Sequence, residues 1–402
     1  MLTSLALIFL VGLALASICQ KLKLPRIIGM LITGVLLGPY VLDLFDASIL
    51  GISADLRQMA LVIILIKAGL SLDIQDLKKV GRPAILMSFL PAVFELLACV
   101  VFAPIFLGVS LIDAAVIGAV LGAVSPAVVV PRMVQLMDEK YGTDKSIPQM
   151  ILAGASLDDV FVIVLFSTFI AMAQGSGAHI MDFVNIPVSI VLGILLGAVV
   201  GFLLAWFFET KYSHQNLIRN SMKVIIVLAV SFLLLAVEDK LEGIVAVSGL
   251  LAVMSMAMVL AMKSVPEVTG RLQEKYGKLW IAAEVILFVL VGAAVDIRYT
   301  MGAGIAAIGL IFTALILRSV GVLLCLVGTP LNKKERLFCV IAYLPKATVQ
   351  AAIGSVPLSL GLPCGNMVLS VAVLSIILTA PLGAFGMDLT YKKFLNQAKG
   401  TA

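Results

Sequence analysis

Charged side chains are scarce in this chain of 402 residues. Asp, Glu, Lys and Arg together make up 13% of the sequence, whereas hydrophobic residues make up 62%. The mean hydropathy is +1.17, far outside the range of a soluble domain, of which about a quarter is charged. This balance excludes an ordinary soluble enzyme or nucleic-acid-binding domain. It indicates a protein embedded in a lipid bilayer, with room for about a dozen helices of ~20 residues.

Histidine and cysteine are also rare. The two histidines, His179 and His214, fall in predicted loops, so no resident metal site is expected. The number of cysteines is odd and most lie in apolar runs, which argues against a disulfide framework and indicates small core side chains. They are Cys19, Cys99, Cys325, Cys339 and Cys364. No nucleotide motif, cofactor site or soluble regulatory domain is visible.

Hydropathy predicts an all-α polytopic membrane protein with thirteen transmembrane helices. No positive charge precedes residues 2–19, and Lys21 and Lys23 follow them, so this segment is interpreted as a retained first span rather than a signal peptide. The predicted spans are residues 2–20, 27–42, 57–75, 83–108, 110–135, 147–173, 185–208, 220–237, 243–262, 279–297, 302–328, 337–360 and 366–388.

Basic residues alternate between the predicted loops. Twenty-two of the 28 Lys and Arg residues lie in every second loop, including Lys78, Lys79 and Lys399, whereas the opposite loops hold only Arg57, Lys240 and Arg298. By the positive-inside rule, the N-terminus is outside and the C-terminus is cytoplasmic.

A few charged residues lie inside the predicted spans. Asp158 and Asp159 stand together near the middle of the sixth span, where a single charge costs roughly 3 kcal/mol on insertion scales. Consecutive helical positions differ by about 100°, so the two carboxylates can face a transported cation and a fixed counter-charge. Glu95, Arg318 and Lys346 are also deep. Lys67 and Glu284 lie near the cytoplasmic ends of their spans, where snorkelling accounts for them.

The sequence contains a weak internal repeat with an offset of 223 residues. Segment 62–74 resembles segment 285–297, with Gly69 over Gly292 and Asp73 over Asp296, and the same offset relates Glu95 to Arg318. Because the offset spans seven predicted helices, an odd number, the second copy is inverted in the membrane, as in many secondary transporters. Spans 1–6 and 8–13 would be the copies. Span 7 joins them and carries Gly193, Gly197 and Gly201, a spacing that predicts close helix packing.

Two corresponding spans contain prolines near their centres. The fifth span includes residues 123–131, with Pro126 and Pro131, and the twelfth includes residues 344–350, with Pro345. A proline removes one helical hydrogen bond and displaces a carbonyl. The pattern therefore predicts two interrupted crossing helices, whose free carbonyls and half-helix ends can coordinate a cation, while Lys346 neutralises half-helix C-termini.

Three segments resemble the cation:proton antiporter superfamily, and most closely bacterial members of its NHA sodium/proton antiporter branch, with an NhaA/NapA-like fold. They are Gly-Ala-Ser-Leu-Asp-Asp-Val (154–160), Leu-Pro-Lys-Ala-Thr-Val-Gln-Ala-Ala (344–352) and residues 29–39. The resemblance covers essentially the whole chain. It implies a homodimer with a dimerisation part (1–80 and 220–300), an ion-translocating core (81–174 and 301–390) that moves like an elevator, and a linker helix (185–208).

The resemblance also implies site residues. Asp159 resembles the family's ion- and proton-binding aspartate, and Asp158 its partner. Ser125 and Val124 occupy the crossover, where relatives often carry an aspartate preceded by threonine. Arg318 stands where electrogenic relatives carry a lysine, and Glu95 resembles the acid that pairs with such an arginine. Lys346 and Thr348 would compensate charge at the crossover.

The combined interpretation is a transporter, not an enzyme, that exchanges Na⁺ or Li⁺ for H⁺ across the bacterial inner membrane. Competition of both ions for one carboxylate would couple the fluxes, and the cycle would be electroneutral because arginine cannot release a proton. A K⁺/H⁺ antiporter and a Na⁺-coupled organic-anion symporter of the same fold remain alternatives. An intramembrane aspartyl protease is disfavoured because adjacent aspartates on one helix point apart. A channel lacks a recognisable selectivity filter.

Overall fold

The computed structural model describes residues 1–71, 81–175, 180–213, 219–241 and 247–397. Several residues used above lie outside these ranges, namely Asp73, Ile74, Lys78, Lys79, His179, His214 and Lys399. Within the described ranges the chain is helical, and its only β-type pairing is an isolated bridge between Tyr141 and Gln397. The prediction of an all-α protein is confirmed.

The helices are labelled in chain order. They are α1 (Leu2–Lys21), α2 (Arg26–Leu37), α3 (Ala47–Gly51), α4 (Ser53–Ser71), α5 (Arg82–Met87), α6 (Leu90–Leu107), α7 (Leu111–Leu121), α8 (Pro126–Asp138), α9 (Ile147–Gln174), α10 (Ile180–Ser213), α11 (Asn220–Leu241), α12 (Gly249–Lys263), α13 (Pro266–Ala293), α14 (Ile297–Cys325), α15 (Lys333–Ala342), α16 (Thr348–Gly354), α17 (Val356–Ser359) and α18 (Gly365–Phe394). A 3₁₀ turn, Thr143–Lys145, precedes α9.

In the described part of the chain, eight helical stretches are long and apolar enough to cross a membrane. They are Leu2–Lys21, Arg82–Leu107, Ile147–Gln174, Val191–Glu209, Asn220–Glu238, Pro266–Ala293, Gly304–Cys325 and Gly365–Phe394. The helices α2, α7 and α12 are apolar but shorter. These helices indicate a multi-pass membrane protein, and the finer count of thirteen spans remains a prediction.

One compact unit comprises Met1–Ala54, Asp73–Ala173 and Phe288–Ala402. In it α14 packs along α6, α6 along α7, and α18 against α14 and α15. Every residue of α7 from Ala114 to Leu121 is buried, as expected of a helix that is apolar on all sides. All five cysteines are free and buried, which confirms their prediction as core side chains.

A second compact unit comprises Asp55–Leu72 and Gln174–Leu287. Its main internal contact runs along α10 and α12. A Cβ added to Gly193, Gly197 or Gly201 would meet backbone carbonyl oxygens of Ser248, Ala252 and Met256 respectively. The close packing predicted from this glycine spacing is therefore confirmed. In the same unit, the ammonium group of Lys67 lies 5.8 Å from the centroid of the Trp280 ring.

Two non-helical breaks lie within the first unit. The chain leaves α7 at Leu121 and starts α8 at Pro126, a residue well suited to the first turn of a helix because its missing N–H needs no partner there. The second break separates Ala342 at the end of α15 from Thr348 at the start of α16 and contains Pro345. Pro131 lies inside α8, so the break occupies residues 122–125 and does not extend along 123–131.

Candidate functional site

The two breaks touch each other. The Ser125 N–H donates to the Pro345 carbonyl at 2.8 Å. The amide of Gln350 donates to the Ala123 carbonyl at 2.9 Å and to the Val120 carbonyl at 3.2 Å. The last carbonyls of any helix lack intrahelical partners and carry partial negative charge. The neutral amide of Gln350 therefore satisfies carbonyl groups at the C-terminal end of α7 that have no partner within the helix.

Lys346 supplies positive charge to the same end of α7. Its ammonium group donates to the Leu121 carbonyl at 2.6 Å and to Glu95 Oε2 at 2.5 Å. The side chain is only 1% exposed, and the Lys346 N–H donates to Thr379 Oγ1 at 2.8 Å. The structure thus places Lys346 at a half-helix C-terminus, where a cation is favourable.

Arg318 lies at the centre of a polar network that the apolar helices enclose. Its Nη1 donates to Glu95 Oε2 at 2.7 Å and also to the Gly122 carbonyl, while Nε donates to the Tyr343 carbonyl at 2.8 Å. Nη2 donates to Asp158 Oδ2 at 3.1 Å. The guanidinium therefore joins both carboxylates to one carbonyl from each break, and the residue is 0% exposed.

Asp158 is anchored from two directions. Its Oδ2 accepts from Arg318 and from the Val124 N–H, the latter at 2.8 Å. The Val124 N–H lies just before α8, at the partially positive end of a helix, where a carboxylate is favourable. Val124 thus contributes a backbone donor to the site.

Asp159 has quite different surroundings. The residue is 7% exposed, and its Oδ1 is buried without a hydrogen-bond partner. Within the described residues no ion pair includes Asp159. A buried carboxylate with no counter-cation is costly unless something neutralises it.

Several other buried oxygens beside the breaks also lack partners in the described part of the chain. They are Ser125 Oγ, Asp158 Oδ1, Tyr343 Oη and Thr348 Oγ1. Most buried polar atoms in proteins are hydrogen-bonded, so a concentration of unpaired oxygens needs an explanation. Each of these oxygens has a lone pair that can coordinate a bound cation.

The formal charges of this network do not balance. Glu95, Asp158 and Asp159 carry one negative charge each when ionised, and Arg318 and Lys346 carry one positive charge each. Glu95 and Asp158 contact the two cations, which leaves the charge of Asp159 uncompensated. One monovalent cation or one proton would therefore neutralise the network as a whole.

Hydrogen bonds join five of the residues named in the sequence analysis, namely Glu95, Val124, Asp158, Arg318 and Lys346. In the described residues, the side chains of Ser125, Asp159 and Thr348 make no such bond. Sequence reasoning assigned no role to Tyr343, Gln350 and Thr379, although all three contact this network through backbone or side-chain atoms. The signal for Gln350 was its place in segment 344–352, as a polar residue in an apolar run.

A family profile described as sodium/hydrogen exchanger, transmembrane, matches residues 5–389. The chain belongs to the sodium/hydrogen exchanger family. It is 33% identical over 390 residues to sodium/hydrogen exchanger 9B2 of Homo sapiens, covering 94% of this chain and 71% of that one. It is 31% identical over 387 residues to sodium/hydrogen exchanger 9B1 of Homo sapiens, covering 93% and 73%.

A solved structure shares the fold of this exchanger-family chain. The sodium proton antiporter MjNhaP1 from Methanocaldococcus jannaschii, at pH 8, superposes with a TM-score of 0.81 and covers 98% of both chains. At 22% identity this likeness concerns the fold alone. Family membership and fold together confirm the resemblance to cation:proton antiporters.

Proposed function

We propose that this chain is a secondary active transporter that exchanges Na⁺, or Li⁺, for H⁺ across the bacterial inner membrane. The observation that carries the proposal is Asp159, a buried carboxylate that has no cationic partner in the described residues, next to Asp158, which pairs with Arg318. Membership of the sodium/hydrogen exchanger family supports Na⁺ and H⁺ as the two ions.

One carboxylate is sufficient to couple the two fluxes. Either a proton or a metal cation neutralises Asp159, but the two cannot occupy the same oxygen together. A neutralised site can cross the low-dielectric interior, whereas a bare carboxylate there is costly. The cation on one side of the membrane is therefore exchanged for protons on the other.

The proposed architecture has thirteen spans in two inverted repeats. A reciprocal pair of contacts supports it. A Cβ on Gly69 would lie 2.7 Å from the carbonyl oxygen of Met254, and a Cβ on Gly292 would meet the carbonyl oxygen of Leu31. Leu31 and Met254 differ by the offset that relates Gly69 to Gly292 and Glu95 to Arg318. The two contacts join the copies to each other and are counterparts under the offset, as expected of a pseudo-two-fold axis in the membrane plane.

The proposed working assembly is a homodimer in the lipid bilayer, with the N-terminus outside and the C-terminus in the cytoplasm. Residues 1–80 and 220–300 form the dimerisation part, and residues 81–174 and 301–390 the ion-translocating core, with the helix at 185–208 as a linker. The core carries both breaks and the ion-pair network, and it moves across the membrane as an elevator. Resemblance to NHA-type antiporters and the positive-inside charge pattern support this arrangement.

The purified protein in proteoliposomes with a trapped pH-sensitive dye provides the test. Na⁺, Li⁺, K⁺ and Rb⁺ are added in turn to vesicles with an acidic lumen, and dequenching reports proton efflux. We expect responses to Na⁺ and Li⁺, and none in empty liposomes or with Asp159→Asn.

Two outcomes would reject the proposal in favour of an alternative. A response to K⁺ but not to Na⁺ would make the protein a K⁺/H⁺ antiporter. Uptake of an organic anion that is driven by Na⁺ and moves no protons would make it a symporter.

A further inference from the structure

The hydroxyl group of Thr348 is buried and has no partner. Thr348 is 2% exposed, and in the described part of the chain its Oγ1 makes no hydrogen bond. A buried hydroxyl left without a partner costs roughly 1–3 kcal/mol. Valine would fill the same space without that cost, so the presence of threonine points to a ligand for the oxygen.

Other side chains already accept hydrogen bonds from the backbone N–H groups next to Thr348. The Ala347 N–H donates to Gln350 Oε1 at 2.8 Å, and the Lys346 N–H donates to Thr379 Oγ1 at 2.8 Å. These two bonds satisfy the backbone N–H groups of the last two residues of the second break. The Thr348 hydroxyl takes part in neither of them.

Thr348 is also the repeat counterpart of Ser125. The two residues differ by the offset that relates Glu95 to Arg318, which are in contact at 2.7 Å. Ser125 is the last residue of the first break and Thr348 begins the helix after the second break. Each has a buried hydroxyl oxygen without a partner among the described residues. The two copies thus present equivalent oxygens at equivalent positions.

Hydrogen bonds tie the segments that carry these oxygens to one another. Ser125 N–H reaches the carbonyl of Pro345, three residues before Thr348, and Val124 N–H reaches Asp158. The segments that carry the unpaired oxygens of Ser125, Asp158 and Thr348 are therefore linked by hydrogen bonds, and Asp159 follows Asp158 on the same helix. Small hard cations bind several oxygen ligands at once, which two carboxylate oxygens alone do not supply.

We infer that Thr348 is a ligand of the transported cation and that its hydroxyl oxygen determines the preference for Na⁺ over Li⁺. The inference rests on the proposed exchange function. A smaller ion accepts fewer ligands, so Li⁺ binding depends less on the additional oxygen than Na⁺ binding does.

The test measures apparent KM and maximal rate for Na⁺ and Li⁺ in proteoliposomes, together with equilibrium binding of ²²Na⁺. Thr348→Val removes the oxygen at nearly constant shape, and Thr348→Ser retains it. Thr33→Val is the matched control, because Thr33 is also buried and its hydroxyl donates to the Gly29 carbonyl at 2.8 Å.

We expect Thr348→Val to raise the Na⁺ KM about tenfold, the effect of about 1.4 kcal/mol of lost binding, and to raise the Li⁺ KM less. Thr348→Ser and Thr33→Val should leave both values within about twofold of the wild type. The melting temperature of Thr348→Val should not fall, since only an unpaired hydroxyl is lost. A merely structural role would lower stability without changing the ratio of the two KM values.

Two results would overturn the inference, and they are distinguishable. If the wild type exchanges Na⁺ for H⁺ while Thr348→Val keeps its KM values and their ratio, the ligand role of Thr348 fails alone. If the wild type responds to neither Na⁺ nor Li⁺, the proposed function fails and the inference with it. Should Thr348→Val not fold, the same comparison between Thr348→Ala and Thr348→Ser decides the question.

Discussion

Asp158 and Asp159 are adjacent in the chain, yet their carboxylates have different partners. Arg318 and the Val124 N–H hold Asp158 in place, whereas Asp159 pairs with neither a cation nor a backbone amide in the described residues. A fixed carboxylate biases the local field, and an unpaired one exchanges its neutralising ion. Their adjacency on α9 gives one helix both roles.

We expect Asp159→Asn to abolish exchange, because an amide neither titrates nor balances a cation. Its melting temperature should stay near that of the wild type, since Asp159 Oδ1 accepts no hydrogen bond in the described structure.

Asp158→Asn should retain exchange with a raised apparent KM and lose stability, because Arg318 loses one carboxylate. Removing one partner of a buried pair costs about 3 kcal/mol or more. Dye dequenching and thermal unfolding in detergent measure both effects, and equal, complete loss of exchange in both variants would contradict separate roles.

Glu95 and Arg318 should both contribute strongly to stability. Glu95 Oε2 accepts from Arg318 and Lys346, so Glu95→Ala leaves Lys346 without its carboxylate partner. Arg318→Ala leaves Asp158 without its cationic partner. Each single variant should destabilise by about 3–5 kcal/mol, and the double variant by less than the sum. The control is a double-mutant cycle on Arg132 and Asp388, whose ion pair of 3.0 Å is partly exposed, with side chains 24% and 50% exposed. The interaction energy of this pair should be about 0–1 kcal/mol. Additive losses at Glu95 and Arg318 would show that their contact contributes nothing.

The charged part of the candidate site could be predicted from the sequence, and the neutral part only where the family resemblance named a position, as at Val124. A charge in an apolar run is costly enough to be conspicuous, so Glu95, Asp158, Arg318 and Lys346 were identifiable without coordinates. Their pairing partners needed the fold, except for Glu95 and Arg318, which the repeat offset relates. Gln350 gives a weaker signal, because one amide in a membrane helix carries no comparable penalty and many such residues have no role.

At the scale of helices, hydropathy located the apolar segments but misplaced several ends. The tenth predicted span begins at residue 279, whereas α13 begins at Pro266. The first turns of α13 are rich in charge and so lie outside any hydropathy window. They are helical because they pack against their own unit, where Leu272 is 1% exposed and the Tyr276 hydroxyl donates to the Val224 carbonyl at 2.8 Å.

The packing of α10 on α12 gives a prediction at this scale. Gly197→Ala should destabilise the protein strongly, because its Cβ would meet the Ala252 carbonyl and the Ser255 hydroxyl, which the helix backbones hold in place. Gly270→Ala in α13 is the matched control, since a Cβ there meets nothing within 4 Å. Alanine in an open helix interior should stabilise by roughly 0.5–1 kcal/mol. Thermal unfolding in detergent compares the two variants, and equal melting temperatures would refute the close approach of α10 and α12.

At the scale of the whole molecule, the charge moved in each cycle follows from which groups can release a proton. Arginine keeps its proton at any pH that a protein experiences. Asp158 pairs with Arg318 and accepts from the Val124 N–H, and Lys346 pairs with Glu95 and donates to the Leu121 carbonyl. In the described residues Asp159 is then the carboxylate of this network that has no cationic partner, and we expect it to be the group that exchanges H⁺ for Na⁺. The simplest cycle carries one proton against one sodium ion and moves no net charge.

An imposed membrane potential should therefore leave the initial rate of Na⁺/H⁺ exchange unchanged. The measurement compares proteoliposomes with and without a K⁺ diffusion potential set by valinomycin, at equal ion gradients. Across 100 mV each net charge moved per cycle is worth about 2.3 kcal/mol, so an electrogenic cycle would respond clearly. Arg318→Lys is the informative variant, because a lysine can release its proton when Na⁺ binds and so add a second H⁺ per cycle. A wild type that accelerates under the potential would mean that Asp158 or Lys346 also titrates, and the assignment of a single exchanging carboxylate would be wrong.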